Sequence, residues 1–286
     1  VTCDVWWVKL PNGIPANSNI TIYMYVGPSN ANYYQQYQNT VGVSAYWYCY
    51  EEGYTNMSQC PNYGIYDNGQ DVFEFYDNFA GTSLNTNLWT TEGSMPTIYV
   101  NNGLILSTNV CGPGATGIES NFQLQRPWVV DYYGTVNNYG TNNYMLAWTN
   151  VQNISFIVTT YVNNNYWVYQ IFDWDYRGPY TNYYNFSDYY WNGNQWSTLS
   201  HGGSYTANIF YIATQITAPS LIESYLDYST LVLNSTDNSQ SGPGYIGIVT
   251  SGCGPYGGNQ NVTSITQWVR VRAYPPNGVM PSISIG

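Results

Sequence analysis

Asp77-Asn-Phe-Ala-Gly-Thr-Ser-Leu-Asn-Thr-Asn-Leu-Trp89 follows the short apolar run Val72-Phe-Glu-Phe-Tyr76, and this stretch says most about the fold. A short helical turn is predicted within it, at 83–88. Beyond it, the apolar runs 97–100 and 104–106 flank Asn101-Asn-Gly103. Asn-Gly between apolar runs is the strongest short-range hairpin signal, so the sequence predicts a β-hairpin directly after the opening stretch.

Short apolar runs bounded by Asn, Gly, Pro and Ser recur along the rest of the chain. They predict strands at 20–26, 42–50, 144–148, 154–162, 166–172, 207–213, 220–226, 231–233, 245–249 and 267–274. The other helical candidate is the polar segment 29–39. Many short strands separated by regular turn signals indicate an antiparallel sandwich. We therefore predict an all-β fold, an antiparallel jelly-roll sandwich with a smaller N-terminal β module.

The composition indicates an unusual surface. Hydrophobic residues make up 44% of the chain and charged residues only 7%, against about 25% charged in ordinary soluble domains. The polar surface must therefore come from Asn, Ser, Thr, Gln and the hydroxyl groups of 33 Tyr. Such a surface keeps its character at low pH, where carboxylates protonate. We expect a secreted protein, extracellular or at the cell surface, in a setting that is hot or acidic.

The charge balance excludes several partners. The net charge is −11, and the permanent cations are Lys9, Arg126, Arg177, Arg270 and Arg272. Without a basic patch, nucleic acid is not expected as a partner. No run approaches 18 apolar residues, so no membrane span is predicted. The chain begins at Val without a charged or apolar leader, which is the expectation for a mature secreted protein.

The cysteines agree with an oxidising compartment. They are Cys3, Cys49, Cys60, Cys111 and Cys253, and none has the C-x-x-C spacing of a metal site. Cys49 and Cys60 flank one loop and are candidates for a short disulfide. Cys111 and Cys253 both begin Cys-Gly-Pro turns and are candidates for a long-range pair. Cys3 is then a buried free thiol, a member of a different pairing, or an intersubunit bond.

Asn-x-Ser/Thr sequons are spread along the whole chain. They begin at Asn19, Asn56, Asn153, Asn185, Asn234 and Asn261. A chain this rich in Asn, Ser and Thr produces sequons by chance, but a secreted protein would expose some of them. We expect several to carry N-glycans.

Three separated segments carry a family resemblance. Residues 72–89 resemble the opening of the concanavalin A-like β-sandwich of legume lectins, laminin G-like domains and glucanases, which often reads F-x-D-D-F-x-G-x-S-L-D-x-x-x-W. Residues 6–25 resemble the second half of a secreted domain of unknown function that often precedes this sandwich in archaeal and bacterial surface proteins. Residues 268–274 resemble its last strand. The resemblance implies a partial N-terminal β module at 1–71, a sandwich at 72–274 and a tail at 275–286.

The N-terminal module departs from the family pattern. The family has several strands before the segment at 6–25, whereas five residues precede it here. A sheet that lacks strands exposes unpaired backbone groups, which a strand from another copy can fill. The candidate donors are 1–10 and the tail 275–286, which ends in Ser-Ile-Ser-Ile-Gly286. We therefore predict a structural subunit of an extracellular pilus-like filament or surface layer, a homopolymer joined by strand exchange.

The resemblance also raises the question of catalysis. Glucanases of this kind carry Glu-x-Asp-x-Glu on one strand, where alternation places the carboxylates on one face. The nearest match is Ile171-Phe-Asp173-Trp-Asp175-Tyr-Arg177, which contains no Glu. Asp173 and Asp175 are either a retaining pair or a solvated pair beside Arg177. The second interpretation is favoured, so no catalytic residue and no enzyme is predicted, with a divergent glycosidase as the lesser alternative. His201 is predicted to lie in a loop.

Aromatic residues suggest a second function. Trp167, Trp174, Tyr176, Trp191 and Trp196 are predicted to contact glycans or other subunits, with simple core packing as the alternative. Glycan contact supports the alternative to a filament subunit, which is a carbohydrate-binding or adhesion module.

The acidic residues before the opening stretch raise the question of a metal. Asp67-Asn-Gly-Gln-Asp71 has oxygen-rich spacing that suits calcium, and Asp77 could add a ligand. The Glu that usually closes such a loop is missing, and an Asx-type turn explains the same residues. We therefore predict no cofactor and no metal, with calcium near Asp67, Asp71 and Asp77 as the lesser alternative.

Overall fold

The computed structural model describes residues 7–15, 17–23, 67–92, 97–108, 116–125, 127–137, 147–149, 168–170, 184–191, 196–205, 211–218, 221–226, 228–236, 243–250 and 262–275. Within these ranges the fold is built from β-strands and one short helix, α1, Gly69–Val72. No helix in them is long and apolar enough to cross a bilayer. The helix predicted at 29–39 and the strands predicted at 42–50 and 154–162 lie outside the described residues.

Fifteen strands follow one another along the described parts of the chain. They are β1 Phe75–Asp77, β2 Trp89–Glu92, β3 Thr97–Val100, β4 Leu104–Thr108, β5 Thr116–Ser120, β6 Trp128–Asn137, β7 Ala147–Thr149, β8 Val168–Gln170, β9 Tyr184–Trp191, β10 Trp196–Tyr205, β11 Tyr211–Ala218, β12 Leu221–Leu226, β13 Thr230–Ser235, β14 Tyr245–Thr250 and β15 Val262–Ala273.

The strands form two antiparallel sheets. Sheet 1 has the order β13-β12-β11-β6-β15-β4-β3, and sheet 2 has the order β10-β9-β8-β7-β14-β5-β2. The long strand β15 pairs with β6 along most of its length, with β4 at its start and with β1 near its end. Neighbouring strands in a sheet are often distant in sequence, as in a jelly roll. The predicted all-β antiparallel sandwich is confirmed.

The hydrophobic core lies between the two sheets. Each strand turns alternate side chains toward it. The core side chains that are at most 1% exposed include, from sheet 1, Leu104, Leu106, Trp128, Val130, Tyr132, Val269 and Val271, and from sheet 2, Trp89, Ile118, Ile246 and Ile248. Burying each such large apolar side chain contributes about 1.5–3 kcal/mol. The residues between them along each strand therefore lie on the outer faces of the sandwich.

The carboxylate of Asp77 connects the beginning and the end of the opening stretch. Its carboxylate accepts a hydrogen bond from the indole N–H of Trp89 at 2.7 Å and one from the backbone N–H of Phe79, also at 2.7 Å. Trp89 is 1% exposed, and a buried indole N–H needs an acceptor. Since Asp77 ends β1 in sheet 1 and Trp89 begins β2 in sheet 2, the two ends of the stretch tie the sheets together.

The hairpin predicted after this stretch is confirmed. Val100 of β3 pairs with Leu104 of β4, and the loop between them contains Gly103 at φ +145°. A Cβ at Gly103 would lie 2.9 Å from the side-chain nitrogen of Gln267. The loop also binds the opening stretch, because the Gly103 N–H donates to the carbonyl of Phe79 at 2.9 Å. Motif and hairpin therefore form one folded unit.

The other strand predictions had mixed outcomes. The runs at 144–148, 166–172, 207–213, 220–226, 231–233, 245–249 and 267–274 each overlap an observed strand. The prediction at 20–26 is wrong within 20–23, which form no strand. The loop predicted for His201 is also wrong, because His201 lies in β10. Register shifts near His201 accommodate the glycines of that strand in its ladder with β9.

Candidate functional site

The outer face of sheet 2 gathers chemistry-bearing residues. Ile118 of β5 and Ile246 of β14 are fully buried in the core. Because side chains alternate along a strand, their neighbours Glu119, Tyr245 and Gly247 lie on the opposite side of the sheet. We call this surface, defined by Thr90, Glu119, Tyr245 and Gly247, the sheet 2 face.

The strand register aligns one row of residues across the sheet 2 face. Thr90 pairs with Glu119, and Glu119 pairs with Gly247. Gly247 then pairs with Ala147, and Ala147 pairs with Gln170. Cross-strand partners share one face of a sheet. The row therefore runs from an exposed hydroxyl through a carboxyl and two small residues to the position of an amide.

Glu119 is the most informative member of this row. It is 1% exposed, although glutamate is almost never fully buried in proteins unless it is paired. Its side chain is on the side of β5 opposite the fully buried Ile118, so it is not part of the apolar core. Burying a carboxyl group at a sheet face costs free energy. A position that keeps such a group is a candidate functional residue.

Tyr245 and Gly247 shape the surface beside Glu119. Tyr245 is half-buried, and Gly247 lies two residues along the same strand. Two residues of a strand span about 7 Å, and both lie on the same face. Gly247 is buried like Glu119, whereas Tyr245 is half-buried and Thr90 is exposed, so a ligand would meet the sheet 2 face at Tyr245 and Thr90. Ligand sites commonly combine such aromatic surfaces with a few polar groups.

Some of the aromatic residues predicted to contact glycans lie outside the described residues. Trp167, Trp174 and Tyr176 are among those outside. Trp191 of β9 and Trp196 of β10 pair directly in the ladder at the edge of sheet 2. The register thus brings two of the predicted contact positions together, in the sheet that carries Glu119 and Tyr245.

The sequence did not single out Glu119. The available signal was a single acidic residue inside Thr116-Gly-Ile-Glu-Ser120, a short run of small and apolar residues that forms β5. The carboxylates that the sequence did single out, Asp173 and Asp175, lie outside the described residues. They follow β8, whose last residue Gln170 ends the row described above.

The acidic residues considered for calcium have protein partners. Asp77 accepts two hydrogen bonds, as described above. Asp67 accepts the Gly69 N–H at 2.9 Å, the Asn78 amide at 3.0 Å and the hydroxyl of Tyr76. The part of the chain that the structure describes contains no group of three or more His, Cys, Asp or Glu placed to hold a metal ion. Calcium at Asp67, Asp71 and Asp77 stays an untested hypothesis, and so does the prediction of no cofactor.

The remaining predicted sites are placed only in part. Asn19 and Asn234 are exposed, and Asn185 lies in β9. Asn56, Asn153 and Asn261 lie outside the described residues, as do the cysteines, Cys3, Cys49, Cys60, Cys111 and Cys253. Their glycosylation and disulfide pairing stay predictions.

The N-terminal third of the chain matches a known family model. Residues 2–92 match a domain of unknown function, DUF2341. The matched segment contains the whole stretch from Asp77 to Trp89. It agrees with the resemblance noted for residues 6–25.

One curated relative is similar along most of this chain. It is the uncharacterized protein 562 of Sulfolobus islandicus rod-shaped virus 1, which is 30% identical over 302 residues. The match covers 96% of this chain and 46% of the relative. The chain therefore spans about half the length of the relative it matches.

Solved structures of the same fold are glucanase-type sandwiches. The catalytic domain LamAcat of Zobellia galactanivorans has a TM-score of 0.52 at 15% identity and covers 70% of this chain and 97% of that one. An endo-β-1,3-glucanase of Pyrococcus furiosus has a TM-score of 0.50 at 16% identity, covering 70% and 93%. An immunostimulatory antigen and pseudo β-1,3-glucanase of Mycobacterium tuberculosis has a TM-score of 0.50 at 12% identity, covering 70% and 98%.

These likenesses confirm the glucanase-type jelly-roll sandwich and correct two predictions. The prediction of a structural filament or surface-layer subunit is wrong, because the fold is shared with proteins of carbohydrate processing. The prediction that the chain is not an enzyme is corrected for the same reason, because an endo-β-1,3-glucanase has this fold and the fold therefore gives no ground to exclude catalysis. Both rested on the broken Glu-x-Asp-x-Glu motif and on the chain ends, which outweighed the fold. The finer resemblance to lectins and laminin G-like domains is not shown.

Proposed function

We propose that this chain is a glycan-processing protein that binds a polysaccharide across the sheet 2 face and hydrolyses it. The observation that carries the proposal is the row in which Glu119 lies beside Gly247, with Tyr245 two residues away on the same strand. A β-1,3-glucan is the first substrate to test, because the Pyrococcus furiosus protein of the same fold is an endo-β-1,3-glucanase.

The sheet 2 face suits a sugar chain. Tyr245 offers a half-buried aromatic ring on which a sugar ring can stack. Thr90, at the exposed end of the row, adds a hydroxyl group at the edge of the sheet. Pocket surfaces that are mostly apolar or aromatic, with a few placed polar groups, are typical of small-ligand sites. The row crosses the strands, so we expect the sugar chain to lie across them too.

Hydrolysis requires a second carboxyl group. Retaining glycosidases hold two carboxyl groups about 5–5.5 Å apart, and inverting ones about 6.5–9.5 Å apart. Asp173 and Asp175 follow Gln170 closely in sequence, and Gln170 lies in the same row as Glu119. We propose that the reacting pair is Asp173 and Asp175, since Glu119 is 1% exposed and is a buried neighbour in the row rather than a group that touches the substrate.

A second candidate function is glycan binding without hydrolysis. It is favoured by the segment 171–177, which contains no Glu where glucanases of this type carry two. The pseudo β-1,3-glucanase of Mycobacterium tuberculosis has the same sandwich fold. A chain that keeps the aromatic and small residues of the sheet 2 face would bind a glycan even if no pair of carboxyl groups were placed to cleave it.

An extracellular location is part of this proposal. Charged residues make up only 7% of the chain, and the sequons at Asn19 and Asn234 are exposed. Polysaccharides of cell walls and matrices lie outside cells, where such a surface remains soluble over a wide pH range. Intact-mass measurement of the protein from its native source tests this part, with added glycan mass as the expected result.

The test uses the full chain and soluble laminarin, a β-1,3-glucan. Calorimetry measures binding, and release of reducing ends measures hydrolysis. Tyr245→Ala is expected to weaken binding about tenfold, which corresponds to about 1.4 kcal/mol. Tyr99→Ala is the matched control, because Tyr99 is an exposed tyrosine of sheet 1. It is expected to bind laminarin like the unaltered chain.

Binding with release of reducing ends supports a glucanase. Binding without release supports the second candidate. If the unaltered chain does not bind laminarin at millimolar sugar concentration, a β-1,3-glucan is not its ligand. Equal binding by the two tyrosine variants would place any site elsewhere on the molecule.

A further inference from the structure

The outer face of sheet 1, on the opposite side of the sandwich, holds a buried ion cluster. Asp131 of β6 is 0% exposed, and its carboxylate accepts the Arg270 Nε–H at 2.8 Å and the Arg272 Nε–H at 3.2 Å. Val269 and Val271, between and beside these arginines on β15, point into the core. The cluster therefore lies on the outer side of the sheet, where water would be expected to reach it.

Trp7 covers this cluster. Its ring centroid lies 4.4 Å from the guanidinium carbon of Arg270 and 5.3 Å from that of Arg272. The ring also meets Phe73 edge-on, with centroids 5.4 Å apart and an interplanar angle of 66°. Residues 7–10 form no strand, so this segment is attached through its side chains rather than through a ladder of backbone hydrogen bonds.

The remaining sides of the Arg270 guanidinium are also aromatic. Trp268 lies 4.7 Å from it, Phe73 5.0 Å and Tyr228 5.7 Å, and the hydroxyl of Tyr228 accepts a hydrogen bond from Arg270. Arg270 is consequently only 2% exposed. Guanidinium groups stack well on aromatic faces because they are planar and weakly hydrated. Phe73, Trp268, Tyr228 and Arg270 thus form a cage, and Trp7 occupies its remaining side.

A second contact fixes the same segment. The ammonium group of Lys9 donates a hydrogen bond to the backbone carbonyl of Asp71 at 3.0 Å. Asp71 belongs to α1, directly before Phe73, so both contacts hold residues 7–9 against one region of the sandwich. Val8, between them, is 55% exposed. The alternation of bound and exposed side chains indicates a segment docked on one side only.

We propose that residues 7–10 are a strap that locks the N-terminal segment onto the sandwich, with the aromatic cage around Arg270 as its docking surface and Trp7 as its occupant. A cation–π contact attracts a guanidinium group to the face of an aromatic ring, and here one ring covers two guanidinium groups. The N-terminal segment and the sandwich then form one cooperative unit rather than two hinged domains. The match of one family model to residues 2–92, which include Trp7, Phe73 and β1, agrees with this arrangement.

The strap lies on the opposite side of the sandwich from the sheet 2 face. It therefore acts independently of the proposed glycan site. Changes at Trp7 are expected to alter the docking of the N-terminal segment and to leave laminarin binding unchanged. This separates a failure of the strap proposal from a failure of the proposed function.

Limited proteolysis of the full chain with trypsin, followed by mass spectrometry, tests the strap. Cleavage after Lys9 is expected to be slower than in an unstructured chain. Trp7→Ala is expected to speed this cleavage about tenfold or more, because the cation–π and edge contacts are lost. Trp7→Phe keeps a smaller ring and is expected to fall between. Val8→Ala is the matched control and is expected to be cleaved like the unaltered chain.

Two results would overturn the strap. One is cleavage after Lys9 in the unaltered chain at the rate of an unstructured peptide. The other is the same cleavage rate in Trp7→Ala, Trp7→Phe and the unaltered chain. If Trp7→Ala does not fold, Trp7→Phe decides: faster cleavage after Lys9 supports the strap, and unchanged cleavage counts against it.

Discussion

The hydrogen bond between Asp77 and Trp89 is expected to be among the most important single polar contacts of this fold. Replacing Asp77 by Ala removes both acceptor oxygens at once. The indole N–H of Trp89 is then left in a site that is 1% exposed, and the backbone N–H of Phe79 loses its partner. The change is therefore expected to loosen the connection between β1 and β2, and with it the connection between the two sheets.

The magnitude follows from the two bonds. A hydrogen bond to a charged group contributes about 1.5–3 kcal/mol, and a buried donor left without a partner costs about 1–3 kcal/mol. We expect Asp77→Ala to lower the free energy of unfolding by about 3–4 kcal/mol, a large part of the total of about 5–15 kcal/mol that is usual for proteins. Asp77→Asn keeps one acceptor and is expected to cost about 1–2 kcal/mol.

Equilibrium unfolding in urea measures these changes. Asp71→Ala is the matched control, because Asp71 is exposed, and its effect is expected to stay within about 0.5 kcal/mol. A double-mutant cycle of Asp77→Ala with Trp89→Phe isolates the indole bond, with an expected coupling of about 1–2 kcal/mol. A loss for Asp77→Ala no larger than for Asp71→Ala, or a coupling near zero, would refute the role given to this pair.

Three further predictions concern the same sandwich. Asp131→Ala is expected to cost about 3–5 kcal/mol in urea unfolding, because it leaves two guanidinium groups without their buried partner. An effect as small as that of Asp71→Ala would contradict this. Gly134→Ala is expected to cost at least about 1–3 kcal/mol, since a Cβ there would meet the hydroxyl of Tyr132 and lie 2.6 Å from the carbonyl of Ile265. Gly81→Ala is the control, because a Cβ there meets nothing within 4 Å and only the φ of +82° is unfavourable. Its expected loss is about 1 kcal/mol. Burial raises the pKa of the Asp77 carboxyl group above its usual value of 3.8, despite the hydrogen bonds from Phe79 and Trp89. The folded state therefore binds this proton more tightly than the unfolded state does. The resulting stabilisation is present below pH 3.8 and is lost as pH rises through the folded-state pKa. The stability of the unaltered chain relative to Asp77→Asn is therefore expected to fall as pH is raised from about 4 to about 7, and a difference that is constant with pH in urea unfolding would rule this out.

Much of the fold follows from local sequence signals. The hairpin after the opening stretch carries Asn-Gly between apolar runs, and its turn needs a residue at positive φ, which Gly103 supplies. The apolar runs that became β14 and β15 place core residues at alternate positions, Ile246 and Ile248 in β14 and Val269 and Val271 in β15. In these segments local propensity and burial favour the same structure, so the sequence pattern is sufficient to predict the strand.

Other strands could not be predicted because their pairing partners decide them. β10 contains His201-Gly-Gly-Ser204, which locally favours a loop, yet register shifts let it pair with β9. β6 includes Asp131 and Gly134, and Asp131 is tolerated because Arg270 and Arg272 of β15 meet it from a position far along the chain. The partner of β6 is far along the chain, and the register shifts that let β10 pair with the neighbouring β9 are not visible from the residues of β10 alone.

The candidate site also combines residues that the sequence indicated with residues that only the strand pairing brings together. Aromatic residues in β9 and β10 were visible in the sequence, but the row that joins Glu119, Gly247 and Ala147 depends on the register of three strands that are distant in sequence. A single Glu and a single Gly carry no signal by themselves. Their meaning comes from being neighbours on the face of sheet 2 that does not pack into the core.

The central claim is that a glycan binds on the sheet 2 face, and a structure of the protein with a β-1,3-gluco-oligosaccharide bound tests it most directly. The sugar chain is expected to cross the strands of sheet 2, with one ring against Tyr245. A sugar chain bound on the outer face of sheet 1 would contradict the claim. So would no bound sugar at a concentration that saturates an endo-β-1,3-glucanase of the same fold.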